Sequence, residues 1–247
     1  DKKLTYQMGI DLNYETAKGP RIEGDQQAIG DYAVFASFNY QPSARFSLVP
    51  SLRLSYNTKF NAPLVPTVSM RYGINKNWTW RLSYGMGFRA PDLKELYFFF
   101  VDINHNITGN TELQAETSQN IQTSINFLKR FNSHYFEFDN RFYYNYVNDG
   151  INLVSYDADS FFYDNIDLFQ TMGNTVNFKY IWKNVELATG VNFVWLYNRL
   201  TDVSNTSTFN FSTDFNFNFT YHIPAWQLDL SLLNKYTGSR PNYYLDD

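Results

Sequence analysis

Ser83 to Asn120 reads SYGMGFRAPDLKELYFFFVDINHNITGNTELQAETSQN, and this stretch decides how the remaining chain is read. Its flanks alternate polar and apolar residues. Its middle carries a kink at Arg89-Ala90-Pro91, an apolar run through Tyr97 to Phe100, one histidine at His105 and a Gly109-Asn110 turn. Strands that bracket so long an excursion predict a structured loop over residues 87–117 in an otherwise all-β chain.

Outward from the loop, the alternation repeats. In the first segment Leu4, Tyr6, Met8, Ile10, Leu12 and Tyr14 fall on one face, with Thr5, Gln7, Gly9, Asp11 and Asn13 on the other. That is period two, held for about the ten residues a tilted strand needs to cross a bilayer. Tyr32 to Gln41, Arg45 to Asn57, Val65 to Ile74 and Trp78 to Met86 continue it before the loop. Ile121 to Phe127, Phe136 to Asn145, Asn165 to Tyr180, Val185 to Trp195, Phe209 to Thr220 and Trp226 to Leu232 continue it afterwards. About eleven strands are expected. Short turns near Pro42, Lys76, Asn132, Asn184 and Pro224 alternate with longer links near Gly24, Phe60, the motif loop, Asp157 and Ser204. Glu15 to Asp31 reads as a long exposed loop and Val147 to Phe162 as a loop that could carry its own small hairpin above the membrane; Pro50 within a strand removes a ladder donor, which a bulge there could absorb.

Composition points the same way. The 247 residues include 23 Phe and 20 Tyr, 19% aromatic against 18% charged. So much aromatic carbon beside so much Asn, Ser and Thr needs an apolar solvent on one face and a wet surface on the other, which a membrane barrel supplies. No run of eighteen apolar residues occurs, so a helical span is excluded. There is no cysteine, hence neither a disulfide scaffold nor a thiolate metal site. A net charge of -4 argues against a nucleic-acid partner. The opening Asp1-Lys2-Lys3-Leu4 lacks the apolar core of a signal peptide, and the expectation is that the chain starts well inside a longer polypeptide.

The order and spacing of the central pieces resemble those of TonB-dependent receptors of the Gram-negative outer membrane. Phe88, Arg89, Ala90 and Pro91 match that family's Phe-Arg-Ala-Pro box. Gly109, Asn110 and Leu113 match its Gly-Asn-Pro-Asp-Leu box, with Thr111 where the family has proline and Glu112 where it has aspartate. Glu116 and Asn120 match the pair that leads into the next strand. The resemblance implies a transmembrane antiparallel β-barrel, with residues 1–247 as the middle to C-terminal part of a 22-stranded wall whose N-terminal plug is absent. It also implies outer-membrane lipid and lipopolysaccharide around the wall and an energy-coupling TonB-type protein acting through the missing plug. A surface lipoprotein or envelope-complex partner is a further expectation.

No catalytic constellation is present and no resident cofactor is expected. His105, His134 and His222 lie on different connections, without His-Glu-x-x-His or Gly-x-Ser-x-Gly patterns. Scattered acids such as Asp11, Glu137, Asp139 and Asp214 read as wetted lumen residues, and no metal site is assigned. In haem-importing relatives a histidine between the two boxes is an axial-ligand candidate, which puts His105 forward. The competing reading is a solvated or plug-packed loop residue. Tyr97 and the phenylalanines after it could stack on a ligand or seal the loop against the wall. Arg89 could fork onto Asp92, Glu95 or Glu116 and pin the loop, or touch substrate. Tyr14, Tyr56, Trp78, Trp80, Trp195, Trp226 and Tyr236 read as interfacial girdles.

The functional expectation is active import of a scarce nutrient complex, an iron siderophore, haem or cobalamin, in which the ligand and not the protein carries iron or cobalt. Two alternatives stand beside it. A passive porin or fatty-acid channel would share the alternation but not the Phe88 to Glu116 signature. A receptor-like barrel serving as a structural or docking subunit would keep the signature without substrate binding.

Overall fold

The computed structural model describes residues 3–101, 106–155, 160–199 and 209–239. Eleven strands form one antiparallel sheet in up-and-down order, and two short strands and a helical turn belong to the motif loop. The wall begins with β1 (Leu4–Lys18), β2 (Gln26–Ser43), β3 (Phe46–Asn57), β4 (Val65–Gly73) and β5 (Trp78–Arg89). The loop then holds α1 (Leu93–Tyr97), β6 (Phe99–Val101) and β7 (Asn106–Thr108). The wall resumes with β8 (Glu116–Phe131), β9 (His134–Ser155), β10 (Ser160–Trp182), β11 (Val185–Arg199), β12 (Asn210–Ile223) and β13 (Leu228–Thr237). Among the described residues the sheet is open, with β1 and β13 at its edges.

The faces follow the period-two pattern. Leu4, Tyr6, Met8, Ile10, Leu12 and Tyr14 are 55–71% exposed on β1, and register carries the same apolar face to Val34, Leu54, Ile121, Phe142, Phe211 and Leu230. Among the described residues these side chains enter no protein core, which is the pattern expected of a wall that faces lipid. The opposite face is polar and cross-linked. Arg53 reaches Asp11 at 2.9 Å and Asp31 at 3.6 Å, Lys179 reaches Glu186 at 2.6 Å, and Asn145 donates to Thr171 at 2.8 Å.

Four sequence expectations change. Glu15 to Asp31 is mostly strand, since β1 runs to Lys18 and β2 starts at Gln26, which shortens the link to residues 19–25. Val147 to Phe162 is also mostly strand, because β9 and β10 pair from Trp182↔His134 out to Phe161↔Ser155. At 22 and 23 residues these two strands are about twice what crossing needs, and their outer ends stand clear of the hydrocarbon. Trp226 lies in a 3-10 turn, with β13 starting two residues later. Pro50 pairs in register with Val68, and the β2–β3 irregularity sits at Tyr40/Ser43 beside the turn. Register on the β2 side passes from Ser37↔Ser51 to Tyr40↔Leu48, which spares the proline a ladder bond.

The motif loop braces the curvature of the wall. On one side Phe98 bridges Ile22 at the β1–β2 tip, Glu23 N donates to Tyr97 O at 2.9 Å, and Phe99 N donates to Arg21 O at 3.0 Å. On the other, β7 pairs in parallel with β10 at Asn106↔Ser160 to Thr108↔Phe162, beyond the end of the β10–β11 ladder. The loop leaves β5 and returns at β8, yet reaches back past β4 and β3 to the β1–β2 tip and forward past β9 to β10, so the sheet bends around it.

Candidate functional site

Arg89, the last residue of β5, organises the loop. Its Nη1 donates to both Glu95 carboxylate oxygens at 2.9 Å, and its Nη2 donates to Glu116 Oε2 at 3.3 Å. Glu95 also accepts from Asp92 N at 2.9 Å while its own N–H donates to Asp92 Oδ1 at 2.7 Å, a capping box that starts α1. Glu116 accepts in turn from Ile151 N at 3.3 Å. One guanidinium therefore ties the end of β5 to the helix, to the start of β8 and, through Glu116, to β9. Asp92 takes the cap and Glu95 and Glu116 take the cation.

Around this clamp the boxes pack closely. Pro91 and Leu96 are fully buried, and Leu96, Leu113 and Ile151 form an apolar cluster joined by Phe60, Tyr97 and Tyr163. Phe88 and Ala90 are half-buried beside it. Gly109 is needed for close approach, where the sequence suggested unusual backbone angles: it does not appear among the glycines of positive φ, and a Cβ there would stand 2.7 Å from the Leu96 carbonyl carbon. Its N–H donates to Phe98 O at 2.7 Å, and Asn110 N donates to Glu95 O at 2.8 Å. The Asn110 side chain donates to Tyr163 O at 3.1 Å and accepts from Glu112 N at 2.9 Å, which fixes the second box against β10.

Tyr97 has its phenol oxygen 2.7 Å from Lys59 Nζ, with the ammonium 4.5 Å from the ring centroid. Its ring thus sits between the apolar cluster and the 58–64 link. His105 lies outside the described residues. Lys59, Asn61, Glu112, Gln114 and Asp149 line a polar cleft of about 440 Å³ beside the motif. Among the described residues no group of three or more His, Cys, Asp or Glu is placed to hold a metal.

Two features escaped sequence reasoning. Asn165 accepts from Gln114 N at 2.8 Å and donates to Gln114 O at 3.2 Å and Asp149 O at 2.6 Å, pairing with the loop as a strand would. Its only signal is an asparagine in a strand, a residue type strands disfavour. Asp149 lies beyond the last β8–β9 pair, Thr117↔Asn148, and has φ 53°. The rung between Ile166↔Gly150 and Leu168↔Asn148 sets it against Asp167. Burial, and then the Asp167 charge, push its carboxyl up from the ordinary carboxylate value.

Comparison with known proteins gives this geometry a context. A family model described as TonB-dependent receptor-like, β-barrel, matches residues 4–247. No curated protein sequence matches the chain. Among solved structures, the siderophore receptor PirA from Pseudomonas aeruginosa superposes with a TM-score of 0.77 at 16% identity, over 95% of this chain and 45% of that one. The FrpB iron transporter from Neisseria meningitidis gives a TM-score of 0.70 at 14% identity, over 96% and 40%. PirA from Acinetobacter baumannii gives 0.69 at 14%, over 93% and 39%. At these identities the likeness is one of fold, and the chain spans less than half the length of each receptor.

Proposed function

The chain belongs to the TonB-dependent receptor β-barrel family, a family of outer-membrane transport receptors, and from that premise we propose that it forms part of the wall of a receptor importing an iron–siderophore complex. The observation that carries the reading is the family match over residues 4–247, spanning the wall and its motif loop. Its structural neighbours bear the names siderophore receptor and iron transporter, which favours ferric siderophores over cobalamin. In this reading no bond is made or broken by the protein. The wall supplies a polar lumen, the Arg89 clamp holds the motif loop as a fixed floor for the outer cleft, and energy arrives through a plug pulled from the inner membrane.

The test is uptake of radiolabelled ferric siderophores by cells expressing the full-length receptor under iron limitation, with and without the energy-coupling protein. Uptake that saturates and requires coupling is expected. Uncoupled, non-saturating flux of small solutes would instead identify a passive channel. A parallel haemin titration of the purified receptor and its His105→Ala variant separates the substrate classes. A Soret shift weakened by the substitution would move the assignment from siderophore to haem.

A further inference from the structure

The tight-turn end of the sheet carries an arrangement that nutrient import does not use. Phe131 and His134 flank the β8–β9 turn, and Trp182 is paired with His134 at the end of β10. Their rings form a row on the apolar face. Phe131 and His134 are stacked at 5.0 Å and 19°, and His134 and Trp182 at 5.8 Å and 5°. His134 Nδ1 lies 2.8 Å from the Tyr180 hydroxyl, which holds the imidazole in the plane of the row. An ammonium stands at each end: Lys129 Nζ is 5.5 Å from the Phe131 centroid and Lys183 Nζ is 5.2 Å from the Trp182 centroid.

Several observations converge on one ligand chemistry. Phe131 and Trp182 are 44% and 40% exposed, and Lys129 and Lys183 are exposed, so the row is open to whatever surrounds the wall. Phe127 and Lys129 share the outward face of β8, since Phe127 pairs with Phe138 and Lys129 with Phe136. Lys129 thus roots below the aromatic row and reaches along it toward the turn, as a lysine does when its stem lies in hydrocarbon and its head seeks the polar boundary. The acids of this end point the other way: Glu186 pairs with Lys179, and Glu137 accepts from Tyr135, all on the polar face. Short turns mark the periplasmic end of such barrels, where the surrounding leaflet is phospholipid. Two cations at that depth, one over each end of the row, match phosphate and not acyl chain.

We propose that Lys129 and Lys183, held on the Phe131–His134–Trp182 row, form a binding site for the phosphate headgroup of an anionic phospholipid of the periplasmic leaflet. The rings carry the glycerol and upper acyl region, and each ammonium is placed to pair with a headgroup phosphate at its own end of the row. The site rests on the reading of the chain as the wall of a membrane barrel, which is checked separately by heat-modifiable gel migration of the intact receptor.

The test is native mass spectrometry of the full-length receptor in neutral detergent, titrated in turn with cardiolipin, phosphatidylglycerol, phosphatidylcholine and lipopolysaccharide. The intact receptor is expected to retain the two anionic phospholipids about tenfold more than phosphatidylcholine, with the preference falling as salt rises. Lys129→Gln/Lys183→Gln should abolish the preference. Arg130→Gln is the control, because Arg130 sits at the same end but lies 4.8 Å from the Tyr135 ring on the polar face, and it should leave the preference intact. Equal retention of phosphatidylcholine, an unchanged double variant, an equal loss in Arg130→Gln, or stronger retention of lipopolysaccharide would each overturn the proposal. Absence of heat-modifiable migration in the intact receptor would instead indict the barrel reading.

Discussion

Gly109 lies flat against the Leu96 carbonyl, so the second sequence box is packed directly onto the last turn of the helix that follows the first. A methyl group there meets backbone on both residues 96 and 97, which cannot swing aside as a side-chain tip would. Gly109→Ala should therefore cost about 1–3 kcal/mol of loop stability while leaving the strands paired. Limited proteolysis of the full-length receptor should show new cleavage between Pro91 and Leu113 with unchanged heat-modifiable migration. An unchanged digestion pattern would mean that the contact is slack.

Arg89 is 42% exposed at its side chain, and solvent screens its ion pairs. Nη1 spans both Glu95 oxygens while Nη2 holds Glu116, so the cation sits in a small network and not in a lone surface pair. A double-mutant cycle with Arg89→Gln and Glu95→Gln should return about 1 kcal/mol of coupling, read from hydrogen-exchange protection of the loop. A value near zero would leave the capping box, and not the cation, as what holds α1.

Asp149 supplies a pH dependence. Its folded pKa is raised, so protonation favours the folded outer β9–β10 hairpin. That added stability is complete below the ordinary carboxylate pKa and is lost as pH rises through the raised folded value. Protection factors of the outer hairpin should therefore be higher near pH 4 than at pH 7. Asp149→Asn should remove most of that difference and stabilise the hairpin at pH 7 by about 0.5 kcal/mol, since asparagine tolerates the left-handed backbone and ends the repulsion with Asp167. Lower protection in the variant at pH 7 would contradict the repulsion.

Arg71 and Arg81 face each other across β4 and β5 on the polar face, and neither has a carboxylate within ion-pair distance among the described residues. Like charges opposite one another are unfavourable. Arg81→Gln should raise the denaturation midpoint of the receptor at low ionic strength, and the gain should vanish in about 0.5 M salt, where the Debye length is shorter than the charge separation. A lowered midpoint would mean that the hydrogen bond Arg81 donates to Asn126 outweighs the repulsion.

The sequence was most legible where two different solvents meet. Lipid and water write an alternation into Leu4 to Tyr14 and Phe209 to Thr220 that needs no knowledge of partners, and the apolar face read from those residues is the exposed one. Legibility failed where lipid no longer disciplines the pattern. Val147 to Ser155 remains strand because β10 pairs with it, and that pairing leaves no periodic trace of its own. The helix α1 is encoded locally, in Asp92 and Glu95 three residues apart, but beside the proline kink and the aromatic run that signal reads only as part of a structured loop. Which carboxylate Arg89 would take depended on that helix, since capping commits Asp92 elsewhere. Asn165 was unreadable because its partners, at Gln114 and Asp149, are joined to it only by the fold.

The brace between Ile22 and Phe98 has a kinetic consequence. Every strand of the wall pairs with the strand next to it in the chain, so the sheet can grow hairpin by hairpin with small loop-closure penalties. The Ile22–Phe98 bridge is different: it joins segments separated in the chain by β2 to β5, so its closure cost is far lower once those strands are paired, and closing it fixes the arc. The loop thus acts as a ratchet on assembly, because unrolling the arc afterwards requires breaking backbone hydrogen bonds at Arg21 and Glu23 together. Strands arriving later would meet an edge whose direction is already set.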